Sequence, residues 1–362
     1  MNKAYKPVII VFLLVVIFYV IGIIFTGKRL EFVDENYHQQ FLKGNSFYTP
    51  LENGLPWEIN VVYNDIFNLA EKNNLVFFGS STTREGIIPS QLKLPKSWKL
   101  TYLSIGDDTI DSFWIMLNYL NSQGNHKLNK TDVAVVHVWY TNFAIRPQET
   151  NYSKRILELF GFYTVDDALQ VRGGMTVPGK EWKVLNYKMK LAASELFLDG
   201  IASEFGPNLE TTRLMFRNFF RLLKVDVTKD EIKMTDPELL EAYKSSWAKY
   251  MGNASFPGES TDKFKHFLSA LKAQTNVVVV NQYTPSWHLS YSKEKEYETW
   301  LHAELLPFLK EQGIPWFDFS RVIPDEDYGD SSHLFKKGRE RYTRLFNDVL
   351  PGILGLTDDS AQ

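Results

Sequence analysis

The chain has no cysteine among its 362 residues. That excludes disulfides, thiol nucleophiles and cysteine-held metals. It fits a bacterial protein facing an oxidising space. Net charge is nearly absent as well. Lys and Arg number 40 against 43 Asp and Glu, a formal charge of −3. With no basic excess, nucleic acid is not an expected partner. Neither a Gly-x-Gly-x-x-Gly pattern nor a P-loop is present. No spacing of histidines and carboxylates calls for a metal, and no cofactor is expected. Repeats and low-complexity tracts are missing too. What is there is 44% hydrophobic and 15% aromatic residues, enough to build a substantial core. The 9 Trp and 18 Tyr read either as carbohydrate-facing surface or as a core rich in rings.

One long apolar run stands at the amino terminus. Pro7 to Phe25 carries no charge. As a helix it spans roughly 28 Å, about one hydrocarbon core. No small-x-small cleavage pattern follows before Lys28-Arg29, so the run reads as an uncleaved anchor rather than a signal peptide. Lys3 and Lys6 precede it, and Lys28 and Arg29 follow. That near-tie leaves the orientation to choice, and the bulk of the chain is expected outside a bacterial cytoplasmic membrane. The organisation expected is an anchor over 1–28, a stalk and lead-in helix over 29–70, one α/β domain over 71–350 and a tail over 351–362.

Within the domain, short apolar runs alternate with helical patterns. Leu75–Phe78 ends abruptly in Gly79-Ser80-Ser81. Trp98–Ile105 ends in Gly106, and Asp132–Val138 ends in Trp139-Tyr140-Thr141-Asn142. Asp111–Leu120 places Phe113, Leu117 and Leu120 on one side of a helix. Strands alternating with helices argue for a parallel sheet. From about 150 to 267 the pattern changes to a helical insertion, including Glu210–Lys224 and Pro237–Tyr250. Arg213, Arg217 and Arg221 share a face of the former, either as an anion contact or as a solvated surface. Sheet logic resumes at Asn276–Asn281, with four consecutive valines, and again at Ile314–Phe319. Tyr297–Gln312 reads as a helix broken near Pro307 and closed by Gly313. Asp330-Ser331-Ser332-His333 then precedes an amphipathic helix running through Leu350.

Ser81 is the candidate nucleophile, because ligands bind at the carboxyl ends of strands in open α/β sheets. A serine needs a base, and the base needs an orienting acid. His333 and Asp330, three apart, suit those roles. Donors for a developing oxyanion are also required, each worth roughly 3–4 kcal/mol in the transition state. Three strand ends offer the Ser81 and Gly106 backbone N–H groups and the Asn142 side-chain amide. Singly, Gly106 also reads as a turn glycine and Asn142 as a helix cap. Arg84 reads as a contact for an anionic substrate group or as a surface ion pair. His288, beyond a strand end, either lines the site or serves the structure, and His137 reads as a satisfied core residue.

In this order the blocks resemble the SGNH hydrolase superfamily, whose pattern is Gly-Asp-Ser, Gly, Gly-x-Asn-Asp and Asp-x-x-His. The resemblance covers about 70–150 and 270–350. It implies a doubly wound, three-layer α/β/α sandwich with a parallel sheet. It implies a triad of Ser81, His333 and Asp330, and an oxyanion hole from Ser81, Gly106 and Asn142. Three positions depart from the pattern: Ser80 replaces its Asp, Tyr140 its glycine and Phe143 its second aspartate. With an amino-terminal anchor, the chain looks most like the cell-envelope branch. That branch includes the D-alanine-transfer protein of the teichoic-acid pathway and the alginate-type O-acetylation proteins. It implies an acyl-ester enzyme, transferase or esterase, acting on a cell-envelope or exported polysaccharide. A membrane-bound O-acyltransferase would be its partner, and membrane lipid would contact Pro7–Phe25. The alternative is a catalytically inactive scaffold or polymer-binding partner of such an acyltransferase.

Overall fold

The computed structural model describes residues 73–104, 109–122, 127–144, 163–173, 237–252, 259–291, 294–329 and 332–355, with isolated positions at 13, 70, 154 and 157–158. Among the described residues no helix is long and apolar enough to cross a membrane. Apart from Leu13 and Ala70, the apolar run Pro7–Phe25 and the stalk lie outside them. So do Glu210–Lys224 with its three arginines, Gly106 and Asp330.

Among the described residues five strands form one parallel sheet. They are β1 (Asn74–Gly79), β2 (Lys99–Ser104), β3 (Val133–Val138), β6 (Asn276–Asn281) and β7 (Trp316–Asp318), in the order β2-β1-β3-β6-β7. Burial follows from composition. β1 and β3 are apolar along almost their whole length and every residue in them is buried. Such strands belong at the centre of a sheet covered on both faces. β7 is half-exposed and takes an edge, as does β2. In β1 successive side chains point to opposite faces. Phe77 meets Phe346 at 5.6 Å, and Phe78 meets Phe267 at 5.6 Å. These two partners lie on different helices, so helices pack on both sides and the chain is α/β.

The helices follow in chain order. α1 (Ser81–Gly86) leaves β1, and α2 (Ile110–Ser122) buries Phe113, Leu117 and Leu120 as its spacing predicts. Between β3 and β6 the chain carries α3 (Pro237–Gly252) and α4 (Ser260–Gln274), which supplies Phe267. It also carries a short antiparallel hairpin, β4 (Tyr163–Val165) with β5 (Val171–Gly173), inside the stretch expected to be helical. The reason is local: the Asp166 carboxylate accepts from the N–H groups of Ala168 and Gln170 and closes the turn.

After β6 come α5 (His288–Tyr291) and α6 (Glu294–Trp300). A π-helical turn, Leu301–Leu305, leads into α7 (Leu306–Gln312). Pro307 offers no N–H to an α-helical ladder, and the wider turn just before it absorbs that loss. Gly313 ends α7 in the left-handed region at φ 59°, which a side chain would resist. The last helix, α8 (Lys336–Ile353), carries Phe346 and runs slightly past Leu350 into the expected tail.

Polar groups fix the amino-terminal edge of the sheet. The buried Asp132 carboxylate accepts from the backbone and side-chain N–H of Asn74 and from the Asn129 N–H, tying β1 to β3. His137 corrects the expectation of a satisfied core residue. Its ring lies 5.0 Å from Phe77 and 5.9 Å from Phe346, and neither nitrogen has a hydrogen-bond partner among the described residues. Burial lowers its pKa from 6.5 to about 3. The folded state therefore holds a neutral ring where the unfolded chain takes up a proton. Its stability is intact above pH 6.5 and falls as pH drops toward 3, by up to about 1.4 kcal/mol per pH unit. Denaturation midpoints measured from pH 7 to pH 4 should fall steeply in the wild type and less steeply in His137→Leu. Parallel slopes in the two proteins would contradict this.

Candidate active site

The carboxyl end of β1 turns sharply into α1. Gly79 allows the turn because a Cβ there would lie 2.0 Å from Thr83 Oγ1. Ser80 precedes the helix in extended conformation, and its carbonyl accepts from the N–H groups of Thr83 and Arg84. Ser81 is thus the first helical residue, half-buried at the rim of the sheet.

Residues after β6 hold this turn in place. Ser80 Oγ lies 2.7 Å from Thr82 Oγ1, and Thr82 Oγ1 donates to Gln282 Oε1 at 2.7 Å. Gln282 Nε2 donates to Thr83 Oγ1 at 2.7 Å, and the Tyr283 hydroxyl donates to the Thr82 carbonyl at 2.7 Å. The Gln282 backbone N–H in turn donates to the Val138 carbonyl.

His333 comes from the loop before α8. A bridge between Tyr328 and Leu334 closes that loop. Within it the Gly329 N–H donates to the His333 carbonyl at 2.8 Å. At its base the buried Asp327 carboxylate pairs with Lys337 and Arg341 of α8, each at 3.2 Å. The loop delivers His333 Nε2 to 2.9 Å from Ser81 Oγ, although 252 residues separate the two. That is hydrogen-bond distance for a nucleophile and its base. On the other side of the ring, Ser332 Oγ lies 3.3 Å from Nδ1.

The remaining expected residues fall into place unevenly. Asn142, on a short 3₁₀ turn after β3, is buried, and its Oδ1 accepts from the Trp139 N–H at 2.9 Å. That bond turns the amide NH₂ the other way. Arg84 is not a surface group. Its side chain is 11% exposed and pairs with Glu85 at 3.2 Å. Burial lowers the pKa of the neighbouring Arg339 on α8, opposed by attraction to Glu85. His288 lines no open surface. It is fully buried, with Nδ1 3.0 Å from the Tyr140 hydroxyl and its ring stacked 4.9 Å from Trp247 of α3. Tyr140 and Phe143 are likewise buried rings, and Phe143 packs on Phe264, Tyr297 and Trp300.

No protein-family model matches the chain, and no curated protein is significantly similar to it.

Two groups at the site, Ser332 and Gln282, are absent from the candidates that motif spacing offers. Ser332 hides inside the Asp-x-x-His spacing. Gln282 stands directly after a buried strand, and that position is its one available cue. Gly79→Ala tests how tightly the turn is held. The added methyl must displace Thr83, and stability should fall by about 1–3 kcal/mol in chemical denaturation. An unchanged midpoint would mean that the turn has room to shift.

Proposed function

We propose that this protein is a serine acyl-ester enzyme of SGNH type, with the layered α/β/α sandwich of that superfamily. One observation carries the reading: the 2.9 Å contact between His333 Nε2 and Ser81 Oγ at the carboxyl rim of a parallel sheet. His333 Nε2 takes the hydroxyl proton as Ser81 Oγ bonds to the acyl carbon. The carbonyl electrons move onto oxygen, where the Ser81 N–H, the Gly106 N–H and the Asn142 amide act as donors. As the oxyanion collapses, the ester C–O bond breaks, and His333 returns the proton to the departing alkoxide. A water or a sugar hydroxyl then attacks the acyl-Ser81 as His333 takes its proton, and when the acyl carbon–Oγ bond breaks His333 returns that proton to Ser81 Oγ, restoring the free serine. Asp330 serves as the acid that orients His333, a role supported by its spacing.

Transfer and hydrolysis use the same steps. The anchor-like Pro7–Phe25 run and the envelope-branch resemblance favour an extracytoplasmic site beside the membrane. They also favour a cell-envelope or exported polysaccharide as substrate and a membrane-bound O-acyltransferase as partner. A second reading draws on Tyr140 and Phe143, where buried rings fill two positions of the superfamily's third block. On that reading the protein is a silent scaffold or polymer-binding partner.

A fluorophosphonate probe separates the two. The wild type should be labelled covalently, and Ser81→Ala and His333→Ala should not. Asp330→Asn should label more slowly by roughly 10²- to 10⁴-fold. A folded wild type that takes no label would favour the scaffold.

A further inference from the structure

The turn that carries Ser81 is flanked by other hydroxyls, and each of them is engaged in a buried hydrogen bond. Gln282 Oε1 can only accept, so Thr82 spends its proton there. Ser80 must then be the donor in its contact with Thr82 Oγ1. Gln282 Nε2 donates onward to Thr83 Oγ1. The result is a one-way relay from Ser80 to Thr82 to Gln282 to Thr83. All four side chains are at least 96% buried, with exposures of 4, 1, 1 and 0%. Ser81 is the one hydroxyl of the turn outside this relay, and it faces His333.

We propose that Gln282 is a positioning residue for Ser81. Among the described residues its side chain bonds Thr82 and Thr83 and makes no hydrogen bond to Ser81. It acts through Thr82 and Thr83, the two residues that follow the nucleophile. Its own backbone is fastened to the end of β3 through the Val138 carbonyl, so the rigid sheet is what the turn is registered against. Two consequences follow. The first turn of α1 cannot rotate without breaking buried hydrogen bonds, which keeps Ser81 Oγ within reach of Nε2. The Ser80 hydroxyl, one residue away, is drawn off toward Thr82 and does not compete for the base. This inference rests on the Ser81–His333 reading above.

The test uses the full chain and the same fluorophosphonate probe, with the labelling resolved into a saturating rate and a half-saturation concentration. Gln282→Leu should lower the saturating rate roughly 10- to 100-fold, the scale of a misplaced reacting group. Its half-saturation concentration should stay within about twofold of the wild type, since no probe contact is lost. Thr82→Val should do the same, and the double variant should lose little more, because both break one relay. Thr82→Val also carries the test if Gln282→Leu does not fold. Thr275→Val is the stability control. It removes a buried bond to the Asp132 carbonyl at the opposite end of β6 and should leave the saturating rate unchanged. Wild-type rates in folded Gln282→Leu and Thr82→Val, with the wild type labelling normally, would overturn the positioning role alone. So would an equal slowing in Thr275→Val. An unlabelled wild type would overturn the functional reading and this inference with it.

Discussion

A parallel sheet sends every strand out through the same edge. That constraint decides where chemistry is possible in this chain. β1 delivers Ser81 there, β3 delivers Asn142, and the segment after β6 delivers Gln282. His333 arrives from outside the sheet, on a loop docked against α8 by the buried Asp327. None of these residues is near another in sequence except through the fold. The Ser81–His333 contact exists because helices on both faces hold β1 and α8 in one register, with Phe77 packed on Phe346.

The site is fixed by hydrogen bonds, while the layers around it are held by rings. This division has a physical basis. A buried ring gains from contact in many orientations and tolerates small slides. A buried hydroxyl or amide does not, since leaving it unpaired costs about 1–3 kcal/mol. Four such side chains converge on the Ser80–Thr83 turn. The turn is therefore the place where sliding is most strongly resisted. The carboxyl ends of β6 and β7 are joined in a similar way. Thr284 donates to Glu294 at 2.7 Å, and Arg321 bonds to both Thr284 and Glu294.

Much of this was legible in the residues, for reasons that differ by element. Leu75–Phe78 and Val277–Val280 read as central strands because continuous apolar runs suit only a sheet covered on both sides. The break at Pro307 is legible because proline's missing N–H is a local property. The meeting of Ser81 and His333 is legible because a serine nucleophile would need a base within reach, while Asp330 and Gly106 lie outside the described residues. Gln282 is not legible, since its role depends on two threonines about 200 residues away and leaves no local pattern. The β4–β5 hairpin escapes for another reason. Its strands are three residues each, and its turn puts Leu169 at φ 59°, a conformation that leucine does not advertise. His137 looks like a core histidine and is one, but the Phe77 and Phe346 rings beside it are brought there by the fold and leave no local pattern.

The departures at Tyr140 and Phe143 bear on whether such a site still works. In the superfamily pattern a glycine and an aspartate flank the asparagine. Here the Tyr140 hydroxyl accepts from the Trp247 indole N–H and bonds His288, joining the end of β3 to α3 and α5. Phe143 completes a cluster with Phe264, Tyr297 and Trp300. Both therefore build wall. Neither replaces the bond that orients Asn142, which comes from the Trp139 backbone N–H and needs no particular neighbour side chain. The altered residues thus shape the surroundings of the Ser81–His333 pair and leave its 2.9 Å contact in place.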